Sequence, residues 1–214
     1  MTRFSAPAAR SSAAVLAALA AAGCGPSTTD AQSSATDILP SPTVTRTIGA
    51  TTQAPPYAGA PVVRAPLPVT VVAGDPCTTA LTPGQVRQML GVEVRGRLGP
   101  EETPGPTCWW GNPVTARMIR VAFGTKDRWG VSAAYPSPAP GRGWVWRELE
   151  VGGFPAVAAT RDPAWQCTVI VGLADDVAVE VSRVGWPEDS QDVCLAAERA
   201  AGLVVATLVK RARR

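Results

Sequence analysis

The stretch "CTVIVGLADDVAVEVSRV", Cys167–Val184, runs apolar and β-branched on both sides of a paired aspartate. Two strand-like runs, 167–174 and 177–184, flank Asp175–Asp176, which is a hairpin signal. Working back along the chain, "FPAVAAT" at 154–160 and "WVWRELEV" at 144–151 meet at Gly152–Gly153, a pair suited to a two-residue turn. In the latter run Val145, Arg147 and Leu149 share one face. Trp144, Trp146, Glu148 and Glu150 share the other. "RMIRVAFG" at 117–124 puts Ile119, Val121 and Phe123 together, and "CWWG" at 108–111 is a shorter candidate strand. Alternation with short turns predicts an antiparallel meander.

Helices flank these strands. In "LTPGQVRQMLG", 81–91, Thr82 suits an N-cap, Pro83 the first helical position, and Gln85 completes a capping box. Leu81 and Val86 are placed for a hydrophobic staple. Val86, Met89 and Leu90 make one apolar face, and Gly91 ends the helix. A long last helix is predicted from about Gln191 to Val209. Val193, Ala197, Ala200, Val204, Thr207 and Leu208 recur at helical spacing, Asp189 or Ser190 can cap it, and Asp192 suits its first turn. Its C-terminal Lys210, Arg211, Arg213 and Arg214 complement the helix dipole. The expected fold is α+β: a meander of four to five strands packed with an N-terminal and a long C-terminal helix.

Before this domain, residues 1–10 carry Arg3 and Arg10 and no acid, and 13–22 are almost all Ala, Val and Leu. That is the layout of a signal peptide over residues 1–23, with an apolar run too short for the roughly 20 residues a spanning helix needs. Cys24 follows Ala21, Ala22 and Gly23, an arrangement similar to a bacterial lipobox, though Ala21 stands where leucine is usual. The reading is lipidation of Cys24; an ordinary cleaved signal with an incidental cysteine is the rival. Residues 24–73 are rich in Ser, Thr, Pro and Ala with few charges, and are expected to be a disordered tether. The folded domain is then 74–214.

Of five cysteines, Cys24 stands apart, and Cys77, Cys108, Cys167 and Cys194 remain. An even number in an exported chain reads as two disulfides, with three connectivities open. A metal site is the weaker alternative, since no C-x-x-C pair and no histidine exist. Cys77–Cys194 with Cys108–Cys167 is preferred. The first pair would tie the two helices, and the second would join two strand starts.

Composition excludes more than it assigns. Removing residues 1–23 takes away Arg3 and Arg10, which lowers the formal charge from +3 to +1. A near-neutral chain argues against a nucleic-acid partner. With no histidine, Ser-His-Asp and Cys-His systems and His-ligated zinc are excluded. Lys126 and Lys210 lack a serine at dyad spacing. Glu148 and Glu150 would share a strand face with Trp144 and Trp146, which allows a glycan-cleaving pair. A solvated strand face is the plainer reading. Seven tryptophans are many for one small core. The irregular stretch 125–143 holds Arg128, Trp129, Tyr135 and Arg142, and long loops on rigid scaffolds carry binding. The candidate binding residues are therefore Arg128, Trp129, Tyr135, Arg142, Trp144 and Trp146.

"DPCTTALTPGQVRQMLG" at 75–91, "CWW" at 108–110, "VGGFPAV" at 151–157, "CTVIVGLADDVAVEV" at 167–181 and "DVCLAAERAAGLVVATL" at 192–208 occur in a set order. This ordered set resembles the actinobacterial lipoprotein family catalogued as domain of unknown function 3558. The resemblance covers about residues 74–210 and implies a cell-envelope lipoprotein. It implies no activity. The combined expectation is a non-catalytic, membrane-anchored protein on the extracytoplasmic face that binds an envelope ligand or protein partner and needs no cofactor. An accessory subunit of a membrane complex and a glycan-acting enzyme are the alternatives.

Overall fold

The computed structural model describes residues 54–100, 104–135, 144–185 and 192–214. Cys24, Arg142, Asp189, Ser190, the signal segment and the tether as far as residue 53 lie outside them. The described chain forms one seven-stranded antiparallel sheet: β1 (Arg97–Leu98), β2 (Thr107–Gly111), β3 (Met118–Gly124), β4 (Val145–Val151), β5 (Phe154–Thr160), β6 (Gln166–Ala174) and β7 (Val177–Val184). Its order is β1-β2-β3-β7-β6-β5-β4. Short helices α1 (Pro76–Thr79) and α2 (Pro83–Leu90) precede the sheet, and α3 (Val193–Ala212) follows it.

The expected four-to-five-stranded α+β meander is corrected by this sheet. Two antiparallel runs, β1–β3 and β4–β7, join through β7, which returns to pair with β3 from Met118↔Val184 to Gly124↔Ala178. β4 therefore starts at the far edge, beyond the reach of a hairpin. The chain crosses to it through a 3₁₀ turn, Gly130–Ala134. The fold is mostly sheet, with one long helix; α2 is short and meets it through Gln85 Nε2, which donates to Leu203 O at 3.2 Å.

Local signals formed as read. Thr82 Oγ1 accepts from Gln85 N at 3.3 Å, and Thr82 N donates to Gln85 Oε1 at 2.7 Å. Gly91 ends α2 with φ of 73°. Gly152 and Gly153 turn the β4–β5 hairpin with φ of 62° and 84°, a conformation that favours glycine. Asp192, rather than a residue before it, caps α3, accepting from Cys194 N at 2.8 Å. On α3 the stripe Val193, Ala197, Ala200, Val204 and Leu208 is buried. It packs on Val169, Val171 and Leu173 of β6 and on Val179 and Val181 of β7, in one core with Ile119, Val121 and Phe123 of β3. Full burial of each large aliphatic or phenyl group contributes about 1.5–3 kcal/mol.

The disulfides are Cys77–Cys108, with Cα atoms 5.1 Å apart, and Cys167–Cys194, 5.0 Å apart. The expected pairs Cys77–Cys194 and Cys108–Cys167 do not form. Cys108 is on β2 and Cys167 on β6, three strand spacings apart in the sheet, a separation of about 14 Å. A disulfide spans no more than about 7 Å between Cα atoms. Each bridge instead pins a helix to the strand beneath it: α1 to β2, and the first turn of α3 to β6.

The domain also begins earlier than residue 74. Ala60, Val63, Val71 and Val72 are buried. Tyr57 N donates to Ser132 Oγ at 2.8 Å, Val63 N to Asp175 Oδ1 at 2.8 Å, and Leu67 N to Leu173 O at 2.8 Å. Residues 54–67 thus form a strap on the sheet, and a short 3₁₀ helix at Val69–Val72 then packs against α3. Their proline content, which suggested a tether, suits an extended strap equally well.

Peptide mapping without reduction is expected to recover Cys77 linked to Cys108 and Cys167 linked to Cys194. Replacing Cys167 and Cys194 by alanine opens a bridge across 27 positions. In the chain-entropy model that lowers the unfolding free energy by about 3–4 kcal/mol, readable by urea denaturation.

Candidate functional site

The face of the sheet opposite α3 carries the exposed chemistry. Side chains there come from the alternate positions of each strand: Trp109 on β2, Met118 and Arg120 on β3, Trp146 and Glu148 on β4, Val157 on β5, Thr168 and Ile170 on β6, Glu180 and Ser182 on β7. The strap and the 3₁₀ turn cover part of it. Ala60, Val131, Ala134 and Val157 form a second, small core there, with Tyr135, Trp146 and Ile170 against it. Gly130 makes the crossing possible. Its φ is 57°, and a Cβ there would lie 2.2 Å from the Asp175 carbonyl oxygen.

The residues chosen from sequence divide among three places. Tyr135 and Trp146 meet edge-to-face at 5.4 Å. The Tyr135 hydroxyl donates to Glu148 Oε1 at 2.7 Å, and Trp146 Nε1 donates to Ala134 O at 2.8 Å. These contacts rivet the crossing segment to β4. Trp129 is 53 % exposed, 6.0 Å from Tyr57, and neighbouring Arg128 pairs with Asp176. Trp144 is 40 % exposed, with the Arg161 guanidinium 4.2 Å from its ring centroid. Asp175 and Asp176, read as simple turn residues, each hold another segment: the strap through Val63 and the 125–135 segment through Arg128.

Glu148 and Glu150 do share the outer strand with Trp146, and Trp144 stands just before it. Both are exposed, and the Tyr135 hydroxyl occupies Glu148. Among the described residues no group of three or more His, Cys, Asp or Glu is placed to hold a metal ion.

A different site assembles at the β1–β3 end of this face. A groove of about 880 Å³ is lined by Val94, Arg95, Arg97, Trp109, Met118 and Trp165, with the β2–β3 turn at its edge. That volume lies within the roughly 300–1,000 Å³ usual for small-molecule sites. Arg97 pairs in register with Trp109, and Gly111 with Met118, which puts the arginine, the indole and the thioether on one face. Trp165 arrives from the β5–β6 loop, its carbonyl accepting from Gly185 N at 3.0 Å. The Arg120 guanidinium stands 5.7 Å from the Trp109 ring and bonds Glu180 at 3.2 Å, which braces the indole from behind. Trp109 was available in the sequence. In "CWW", Cys108 and Trp110 are both buried against α3's core, so alternation turns Trp109 to the opposite face. Trp165, alone in a loop, gave no such signal.

Fold and surface together define a disulfide-tied antiparallel sheet domain, backed by one helix on one face and carrying an aromatic, arginine-edged groove on the other. The chain belongs to the family described as "Protein of unknown function (DUF3558)", which matches residues 19–207. Comparisons with curated proteins and with solved structures returned no match. No helix of the described residues is long and apolar enough to cross a membrane.

Burial and the hydrogen-bonded, negatively charged Glu148 hold the Tyr135 phenol well above its ordinary range. Tyr135 keeps its proton more tightly folded than unfolded. Its contribution to stability is complete below about pH 10, the unfolded phenol value, and is lost as pH rises further. Ultraviolet difference titration is expected to show one phenol ionising late. Glu148→Gln should bring it down only partway, because burial is the larger cause.

Proposed function

We propose that this chain is a cell-envelope lipoprotein whose domain binds an envelope ligand or partner without catalysing a reaction. Residues 1–23 direct export, Cys24 carries the lipid, and the segment after it holds the domain at the extracytoplasmic face of the membrane. The resemblance to actinobacterial lipoproteins and the lipobox-like Ala21–Cys24 support the anchor. The groove beside Trp109 and Trp165 is the observation that carries the binding role. A non-catalytic reading is supported by the lack of histidine and by Glu148 and Glu150 standing exposed on an outer strand. A near-neutral mature charge favours a membrane and envelope setting over nucleic acid.

Two measurements test this. The expressed protein is expected to fractionate with membranes and to incorporate labelled palmitate, and Cys24→Ala is expected to release it and abolish labelling. Palmitate-free wild-type protein in the soluble fraction would overturn the anchor. Intrinsic fluorescence should shift with at least one envelope lipid or glycan and lose that shift in Trp109→Phe/Trp165→Phe. A response to no envelope component would overturn the binding role.

A further inference from the structure

We propose that the groove between β1–β3 and Trp165 takes an anionic amphiphile, an alkyl chain ending in a carboxylate or phosphate. This deepens, and rests on, the binding role given above. The body of the ligand follows from what lines the groove. Val94, Trp109, Met118 and Trp165 offer apolar and aromatic surface, and a thioether adapts to a flexible chain. A sugar is disfavoured, because its hydroxyls need several side-chain acceptors and donors. Asn112 is the one amide side chain in the lining, and its oxygen is filled and one of its two N–H groups is used. Its Nδ2 donates to Leu90 O at 2.8 Å, and its Oδ1 accepts from Val114 N at 2.8 Å and Thr115 N at 3.1 Å.

The charge of the ligand follows from the arginines. Arg95 and Arg97 line the groove, both exposed, and no acid among the described residues lines it. Neither has an ion-pair partner among the described residues. The acid nearest in sequence, Glu93, is drawn to Arg87 at 3.5 Å. Among the described residues the groove therefore pairs an apolar floor with a positive edge that no acid offsets. Arginine's planar fork matches a carboxylate or phosphate.

The test uses the exported chain carrying Cys24→Ala, which needs no detergent, and isothermal titration calorimetry below the micellar range. Decanoate and decyl phosphate are expected to bind at one saturable site. Decanol and decyltrimethylammonium should bind about tenfold more weakly or not at all, as should inorganic phosphate alone. Arg95→Gln/Arg97→Gln should reduce decanoate to the decanol level, and Arg95→Glu/Arg97→Glu should reverse the preference toward the cation. Both pairs are exposed, so unchanged thermal unfolding accompanies these results. Equal binding of decanol and decanoate, or indifference to the arginine substitutions, overturns the proposal. If no amphiphile binds but Trp109→Phe/Trp165→Phe abolishes the response to another envelope component, the ligand class is wrong and the binding role stands. If no component responds, both fall.

Discussion

The pairing of β3 with β7 joins residues that lie some sixty positions apart and turns two separate antiparallel runs into one sheet, from Met118↔Val184 to Gly124↔Ala178. Its two faces serve different ends. Val179 and Val181 carry α3, and Val121 and Phe123 continue the same core beneath the β1–β3 half. On the reverse, Arg120 reaches Glu180 and braces Trp109. Without this ladder the core would lose its β1–β3 half, and the groove would lose the support behind its indole. The cost of closing so long a loop is offset by the buried β-branched pairs that the register brings opposite one another.

The disulfides and the strap fix what this sheet leaves loose. A short helix such as α1 has little stability of its own, since helix nucleation is costly. Cys77–Cys108 holds it against β2. Cys167–Cys194 does the same for the start of α3, where Asp192 already caps the free N–H groups. On the other face, residues 54–63 and the 3₁₀ turn cover Val157 and Ile170, and the aspartates of the β6–β7 turn anchor both segments. The reverse face is thus divided. One end is covered and structural, and the other remains open as the groove.

That division explains why the aromatic residues that stood out in the sequence are not those of the groove. Tyr135 and Trp146 sit in a long irregular stretch and its following strand, the usual setting for binding residues, yet their hydrogen bonds are spent on holding the crossing segment. Trp109 and Trp165 lie apart in sequence and meet only because β1–β3 and the β5–β6 loop come to the same end of the sheet. Arg95 and Arg97 flank no recognisable motif. Their meaning comes from the groove they edge, whose described lining holds no acid.

Local chemistry determined much of this protein by itself. The capping box at Thr82, the Gly152–Gly153 turn, the α3 stripe and the alternation along β3 and β4 all rest on contacts within a few residues, so they are legible in order along the chain. The family match over residues 19–207 agrees with the ordered cysteine and glycine motifs. Only the tertiary structure decided the strand order, the partners of the four domain cysteines, the burial of the strap and the place of the groove. Each of these is a relation between distant segments. Side-chain alternation states which face a residue takes but not which strand lies beside it, and that choice is made by burial across the whole sheet.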